Sequence, residues 1–365
     1  MIKSYESRKL NIPGILKHEP ALLDLYAHRF DHELSALAFK NKKGDHKRAL
    51  DITYASRKKF CSHEYAREMP VSRYLDLHGI KCCYPDNKKF AVCLTHDIDD
   101  ISQPLSHIIN SSLYTLKKSG FKGAKELIPG NSSKPGQYKN FKKIMEIEKK
   151  YGAVSSFYFL ATDKDPLRFR YDIEEILEDL ESIRDSGFEI GLHGGYYAYC
   201  DPVMIKKEKD RLEKACRANV IGYRNHYLMF KFPDTWRYLA SCGFKYDSSM
   251  GFNDISGSRN GMCHPYRPYD PIKGEEIDIF EIPLMIMDSS LLSHEGDIKK
   301  AWETSKIIID TVESLNGVLT LCWHNNVFSY APKEQWARLY EKILSYCHEK
   351  NAWMTSGREI YSWFT

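Results

Sequence analysis

Phe90-Ala91-Val92-Cys93-Leu94-Thr95-His96-Asp97-Ile98-Asp99-Asp100 is the stretch on which the fold turns. A short apolar run, of the kind a buried parallel strand needs, ends abruptly in one imidazole and three carboxylates. In open and barrel-like α/β folds the C-terminal ends of strands carry the chemistry. Carboxylates crowded there repel one another unless a cation sits between them or one keeps its proton. An Asp-rich turn capping the next helix is the competing reading, although capping rarely needs several acids.

From residue 90 onward, short apolar runs alternate with longer amphipathic segments, the pattern of βα units on a parallel sheet. Strands are expected over 90–95, 154–160, 188–193, 220–224, 279–287 and 318–324. Helices are expected over 141–151, 173–185, 204–216, 236–242, 298–315 and 336–348. Gly187, Gly243 and Gly317 stand just beyond three of these helices, where a left-handed residue is wanted. Two segments interrupt the alternation: 101–138, an excursion rich in Ser, Lys, Gly and Pro, and 253–276, a long loop of the kind that serves as a binding loop or lid. Residues 1–88 read as a mostly helical extension punctuated by Pro13, Pro20 and Pro70, and 89–365 as the α/β domain that holds the acid-bearing strand end.

With 365 residues, 42% of them hydrophobic, the chain can bury a barrel-sized core. Its 24 tyrosines suit a groove for sugars or flat ligands, although tyrosine also fills cores. The 53 basic and 49 acidic residues leave a net charge of +4, which does not resemble a nucleic-acid binder. The cluster Asn41-Lys42-Lys43-Gly44 reads as a solvated turn. No apolar signal core follows Met1, and no run approaches the ~20 apolar residues that cross a bilayer. The ten cysteines are scattered, several inside apolar strands, and read as reduced thiols. A cytoplasmic protein is the simplest account.

Four candidate strands end in reactive side chains: His96, Asp97, Asp99 and Asp100; His193 before Gly194-Gly195; Arg224 and His226; and His324. A parallel barrel gathers such ends into one mouth. One Asp with two imidazoles suits Zn²⁺ and leaves a position open for catalytic water. Any single one of these histidines is more often structural; their coincidence at four strand ends carries the inference.

These residues resemble the polysaccharide deacetylase superfamily (NodB-homology, family 4 carbohydrate esterases), and within it a divergent bacterial branch found among surface-polysaccharide genes. The resemblance covers roughly residues 88–365. Thr95-His96-Asp97-Ile98-Asp99 resembles the motif Thr-Phe-Asp-Asp with one residue inserted, which implies Asp97 as base and Asp99 as metal ligand, with Asp100 an alternate ligand. His193 matches the first His of the second motif, but Tyr197 stands where the family has its second. His226, in Arg224-Asn225-His226-Tyr227, is the best substitute, and Arg224 inherits the role of steering the base. Leu321-Cys322-Trp323-His324 resembles the fifth motif, whose His protonates the leaving group, and Tyr246-Asp247-Ser248-Ser249 resembles a groove-lining segment.

Tyr227, Asp247, Arg259, Asp288 and Trp323 are therefore expected to contact substrate, Arg259 through an anionic group, while Asp288 is alternatively a support for His324. The resemblance implies a distorted (β/α)7-type barrel and a zinc-dependent N-deacetylase acting on an N-acetylated saccharide, a precursor of surface polysaccharide. Hydrolysis of a non-sugar C–N amide on the same scaffold is one alternative. A non-catalytic saccharide-binding protein is another, motivated by Tyr197.

Overall fold

The computed structural model describes residues 3–4, 10–38, 63–103, 138–164, 169–329 and 333–365. The Asn41–Gly44 turn and most of the 101–138 excursion lie outside these residues.

The acid-bearing run forms β1 (Ala91–Ile98), buried along its whole length. The other strands of its sheet are β2 (Ser156–Leu160), β3 (Glu189–Gly194), β4 (Gly222–Asn225), β5 (Tyr246–Asp247), β6 (Phe280–Glu281), β7 (Ile286–Met287), β8 (Val318–Cys322) and β9 (Trp353–Thr355). They form one nine-stranded sheet in the order β6-β5-β4-β3-β2-β1-β8-β7, with β9 also on β1. Every pairing in it is parallel. β1 is flanked on one side by β8 along residues 91–95; on the other, β9 pairs with 91–93 and β2 with 95–98. The sheet curls into an open, barrel-like cup, as expected for a distorted barrel.

Helices α6 (Phe141–Lys149), α7 (Leu177–Asp185), α8 (Pro202–Cys216), α9 (Asp234–Ser241), α11 (Ile298–Ser314) and α12 (Glu334–Glu349) follow the strands; α10 (Asp288–Glu295) and α13 (Gly357–Phe364) complete the body. Period-2 alternation divides each strand between two cores. Val92, Leu94, Phe157, Phe159, Ile190, Leu192, Leu319 and Leu321 face outward against Ile144, Leu180, Ile205, Ile308 and Ile343 of the helices. Each such side chain contributes about 1.5–3 kcal/mol by leaving water.

The opposite set faces into the cup: Ala91, Cys93, Tyr158, Tyr246 and Val318 share a second core with Leu16, Leu25, Tyr26, Val71 and Leu75. Those last residues lie in or beside α1 (Ile12–Ile15), α2 (Pro20–Tyr26) and α5 (Pro70–Leu77). The N-terminal helices therefore pack into the cup's interior core rather than hanging beside it. Gly191 and Gly222 make room for its floor: a Cβ would lie 2.5 Å from the Tyr158 ring at 191 and 2.2 Å from Tyr246 Oη at 222.

Three local expectations change. The strand expected over 279–287 is two strands, β6 on one sheet edge and β7 on the other. Pro283 lies between them and has no N–H to continue a ladder. The expected lid at 253–276 is largely interior: Ile255, Ser258, Arg259, Asn260, Met262, Cys263, His264 and Tyr266 are all buried. It is the shelf on which the N-terminal helices dock, through Arg259–Asp31 (2.6 Å), Tyr266 Oη–His28 Nε2 (2.9 Å) and Ser72 Oγ–His264 Nδ1 (3.0 Å). Finally, Gly187 and Gly243 have the expected positive φ, but at the third helix end Asn316 takes it instead of Gly317. Gly317 is needed for space, since a Cβ would sit 2.5 Å from Cys263 Sγ.

Candidate active site

Strand parity sorts the residues of β1. Thr95 and Asp97 turn into the cup, where Arg224 Nη1 donates to both, at 2.6 and 2.9 Å. Asp99, next on the same face, meets the imidazoles from β3 and β4. His96 turns the other way. Its Nδ1 lies 2.8 Å from Trp323 O and its Nε2 2.8 Å from Glu148 on α6, whose carboxyl also accepts from Ser155 and Tyr340. His96 is therefore a residue of the outer core and not of the mouth.

Asp99 Oδ1 lies 3.2 Å from His193 Nε2 and 3.6 Å from His226 Nε2. The donor atoms of these three residues all fall within 4.8 Å of one another. His193 Nδ1 is 2.9 Å from Arg224 O, so it donates its proton there and presents a lone pair from Nε2. Asp99 Oδ1 is buried without a hydrogen-bond partner. Acceptors converging on one point call for a cation, and two imidazoles with one carboxylate are donors zinc favours. The residues present thus fit a divalent metal.

Burial disfavours charge on His193, but Asp97 and Asp99 override it and raise its pKa, so the two carboxylates favour a second proton on Nε2, which a bound cation would replace. Burial, helped by His193 and Arg170, lowers His226 to about 3, which keeps it neutral and free to ligate. Two successive non-glycine residues after His226, Tyr227 (φ 59°) and Leu228 (φ 52°), are left-handed. Such strain costs on the order of 1–3 kcal/mol per residue and collects at functional sites.

Asp97 is held from the opposite side. Arg224, fully buried, also donates from Nε to Ser248 O and from Nη2 to Ser248 Oγ, both at 2.8 Å. Its guanidinium lies 4.8 Å from the centre of the Tyr158 ring. Burial would raise the Asp97 pKa, but Arg224 and His193 hold it below the ordinary carboxylate value, so it stays ionised. His324 closes the ring, with Nε2 3.6 Å from Asp99 Oδ2 and Nδ1 2.5 Å from Asp288 Oδ1. Burial alone would lower the His324 pKa, yet Asp288 and then Asp99 and Asp97 raise it to about 10. Cys322, two residues earlier on the same face, forms a second candidate donor group with Asp97 and His324.

The structure therefore brings together Asp97, Asp99, His193, Arg224, His226, Asp288 and His324. Asp100 stands apart, half-buried and 3.6 Å from Arg170. Tyr227 is at the rim, 39% exposed, its ring 4.4 Å from that of His226. Three expected substrate contacts are instead interior. Trp323 is one position from His324, so parity turns it outward against Tyr340. Arg259 is committed to Asp31. Asp247 is buried opposite Glu281, its register partner across the β5–β6 pair. Ser248 and Thr95 were not singled out from sequence; their role is visible only through Arg224.

No protein-family model and no curated protein matches the chain. Among solved structures, it is similar to a "putative polysaccharide deacetylase" from Mycobacterium smegmatis, with 17% identity, TM-score 0.50, 76% of this chain and 91% of that one covered. It is equally similar to Puue allantoinase, with 13% identity, TM-score 0.50, 77% of this chain and 92% of that one covered. At such identities the likeness is one of fold alone.

Proposed function

We propose that this chain is a metal-dependent N-deacetylase that hydrolyses an N-acetylated saccharide, with a cytoplasmic precursor of a surface polysaccharide as its substrate. The observation that carries the reading is the convergence of an Arg-held carboxylate, a carboxylate–imidazole cluster with an orphaned oxygen, and an Asp-backed imidazole around one point.

Asp99, His193 and His226 would hold the ion, zinc by their chemistry; when bound, it supplies Lewis-acid polarisation of the acyl oxygen and a more acidic water. Asp97, kept ionised by Arg224, accepts the proton of the attacking water. Arg224 donates to the same carboxylate from a fixed position, so the base points into the cup before substrate arrives. His324, protonated and oriented by Asp288, gives its proton to the departing nitrogen. Water adds across the C–N bond, and acetate and a free amine leave. Tyr227 at the rim offers a ring face to the sugar.

The test is acetate release by zinc-loaded protein from N-acetylated sugars, nucleotide-linked sugars and oligosaccharides. Turnover that needs both metal and Asp97 supports the reading; stoichiometric zinc with no acetate from any of them sinks it. The likeness to an allantoinase keeps a second reading, opening of a cyclic amide. Ring opening without acetate would favour it.

A further inference from the structure

The end of β8 holds a thiol that the reaction derived above does not use. Cys322 is fully buried, two residues before His324 and so on the same face of the strand. Its sulfur, an Asp97 oxygen and a His324 nitrogen all lie within 4.8 Å of one another. Among the described residues, this trio and Asp99–His193–His226 are the groups that bring three metal-ligating atoms so close.

The partners of the thiol are already oriented. Arg224 Nη1 holds Asp97 Oδ1 at 2.9 Å, which leaves Oδ2 for another contact. His324 Nδ1 lies 2.5 Å from Asp288 Oδ1, so Nε2 is the atom that faces the trio. A carboxylate behind an imidazole is how proteins fix a histidine that ligates a metal. The two trios also adjoin. Asp99 turns Oδ1 to His193 and His226, and its Oδ2 lies 3.6 Å from His324 Nε2. One carboxylate can thus serve two neighbouring ions, at the close spacing that two-metal sites have.

Charge permits the second ion. It replaces the proton on His324 and the proton on the Cys322 thiol, so the net charge of the pocket does not change. Sulfur with imidazole and carboxylate favours zinc over magnesium or calcium. Asp97, Cys322, His324 and Asp99 Oδ2 complete a four-donor shell with no position for water, the closed form of a zinc site and not the catalytic one. The Asp99–His193–His226 group fills first, because an orphaned oxygen already waits there. We propose that Asp97, Cys322 and His324 form a second, inhibitory site for a thiophilic divalent cation, filled once the first ion is in place. An ion there occupies the base and the acid together, and metal excess stops turnover. The binding stands on the geometry; its inhibitory effect rests on the deacetylase reading, which gives Asp97 and His324 those roles.

Cobalt(II) is the probe, because a thiolate ligand gives it an intense near-ultraviolet charge-transfer band that nitrogen and oxygen ligands do not. Metal-free protein titrated with Co²⁺ alone should show no such band through the first equivalent and gain it through the second. Cys322→Ser should keep the first equivalent, lose the band and bind the second ion more than about 100-fold more weakly, beyond the range typical of outer-shell changes. A band already at the first equivalent, no band in excess Co²⁺, or a band that survives in Cys322→Ser overturns the site. Should Cys322→Ser fail to fold, His324→Ala decides: an undiminished band at the second equivalent overturns the site, and its loss upholds it. With zinc, acetate release by wild type should fall by about 100-fold or more between one equivalent and excess, the usual loss when acid and base are withdrawn. The same ratio should hardly change in Cys322→Ser. A filled second site with undiminished turnover overturns the inhibition. If wild type releases no acetate from any sugar, the deacetylase reading fails separately, and the cobalt spectra still decide the site.

Discussion

Two acid–imidazole clusters stand back to back on β1. On the outer face, His96 and Glu148 meet at 2.8 Å, and every nitrogen and oxygen of the pair has a partner in Trp323 O, Ser155 or Tyr340. On the inner face, Asp99 meets His193 and His226, and its Oδ1 has none. Each joins a carboxylate to imidazole through β1-end residues three positions apart, His96 fully buried and Asp99 half-buried. The outer cluster is closed and holds helix to strand. The inner one is incomplete as protein alone and calls for a cation. Satisfaction of buried polar atoms, and not the presence of acids and imidazoles, separates the two.

The sharpest way to break the contrast is Asp97→Asn. Turnover should fall by about 10²–10⁴-fold with zinc still bound one per chain, measured by steady-state kinetics and atomic emission. Zinc lost from that variant would make Asp97 a ligand and not the base. On the other face, Glu148→Ala should leave the metal in place but cost about 3–5 kcal/mol in urea unfolding, because it strands His96, Ser155 and Tyr340 inside the outer core. A loss below about 1 kcal/mol would mean that the outer network is not what closes that face. His226→Ala should weaken zinc by more than about 100-fold in competition with a chelator, beyond the range typical of outer-shell changes. Retained affinity would leave Tyr197 without a replacement in the ligand set.

A third buried acid pair tests the rule at smaller scale. Burial, and then the facing Asp247, hold Glu281 well above the ordinary 4.5. The unfolded chain therefore releases that proton first, and stability falls as pH rises above about 4.5. Glu281→Gln, which keeps the shape and drops the titration, should flatten this decline by on the order of 1 kcal/mol between pH 5 and 8 in thermal melts. An unaltered slope would show that the pair does not hold a proton in common.

Much of this was legible in the chain. The apolar runs are true strands because two-sided burial demands them, and parity alone would have turned His96 and Trp323 away from the mouth. Asp97, Asp99, His193, Arg224, His226 and His324 come together because each ends a strand of one parallel sheet. That Asp247 and Arg259 are interior was not legible for a physical reason: their partners, Glu281 and Asp31, are 34 and 228 residues distant, and no local pattern announces such pairings. β9 was missed because three residues after a long helix carry too little periodicity. Its one signal is Asn351, left-handed at φ 62°, which ends that helix and starts the return.

The segment from Phe280 to Met287 carries a kinetic consequence. Its first residues pair with β5 and its last with β8, at opposite ends of the strand order, and Met285 N reaches Thr320 O on the way. Neither docking surface exists until its own half of the sheet has formed. The segment is thus a final stitch. Substitutions there, such as Ile282→Val, should speed unfolding and hardly slow folding, with φ-values near zero, whereas Leu94→Ala at the centre of β1 should slow folding itself.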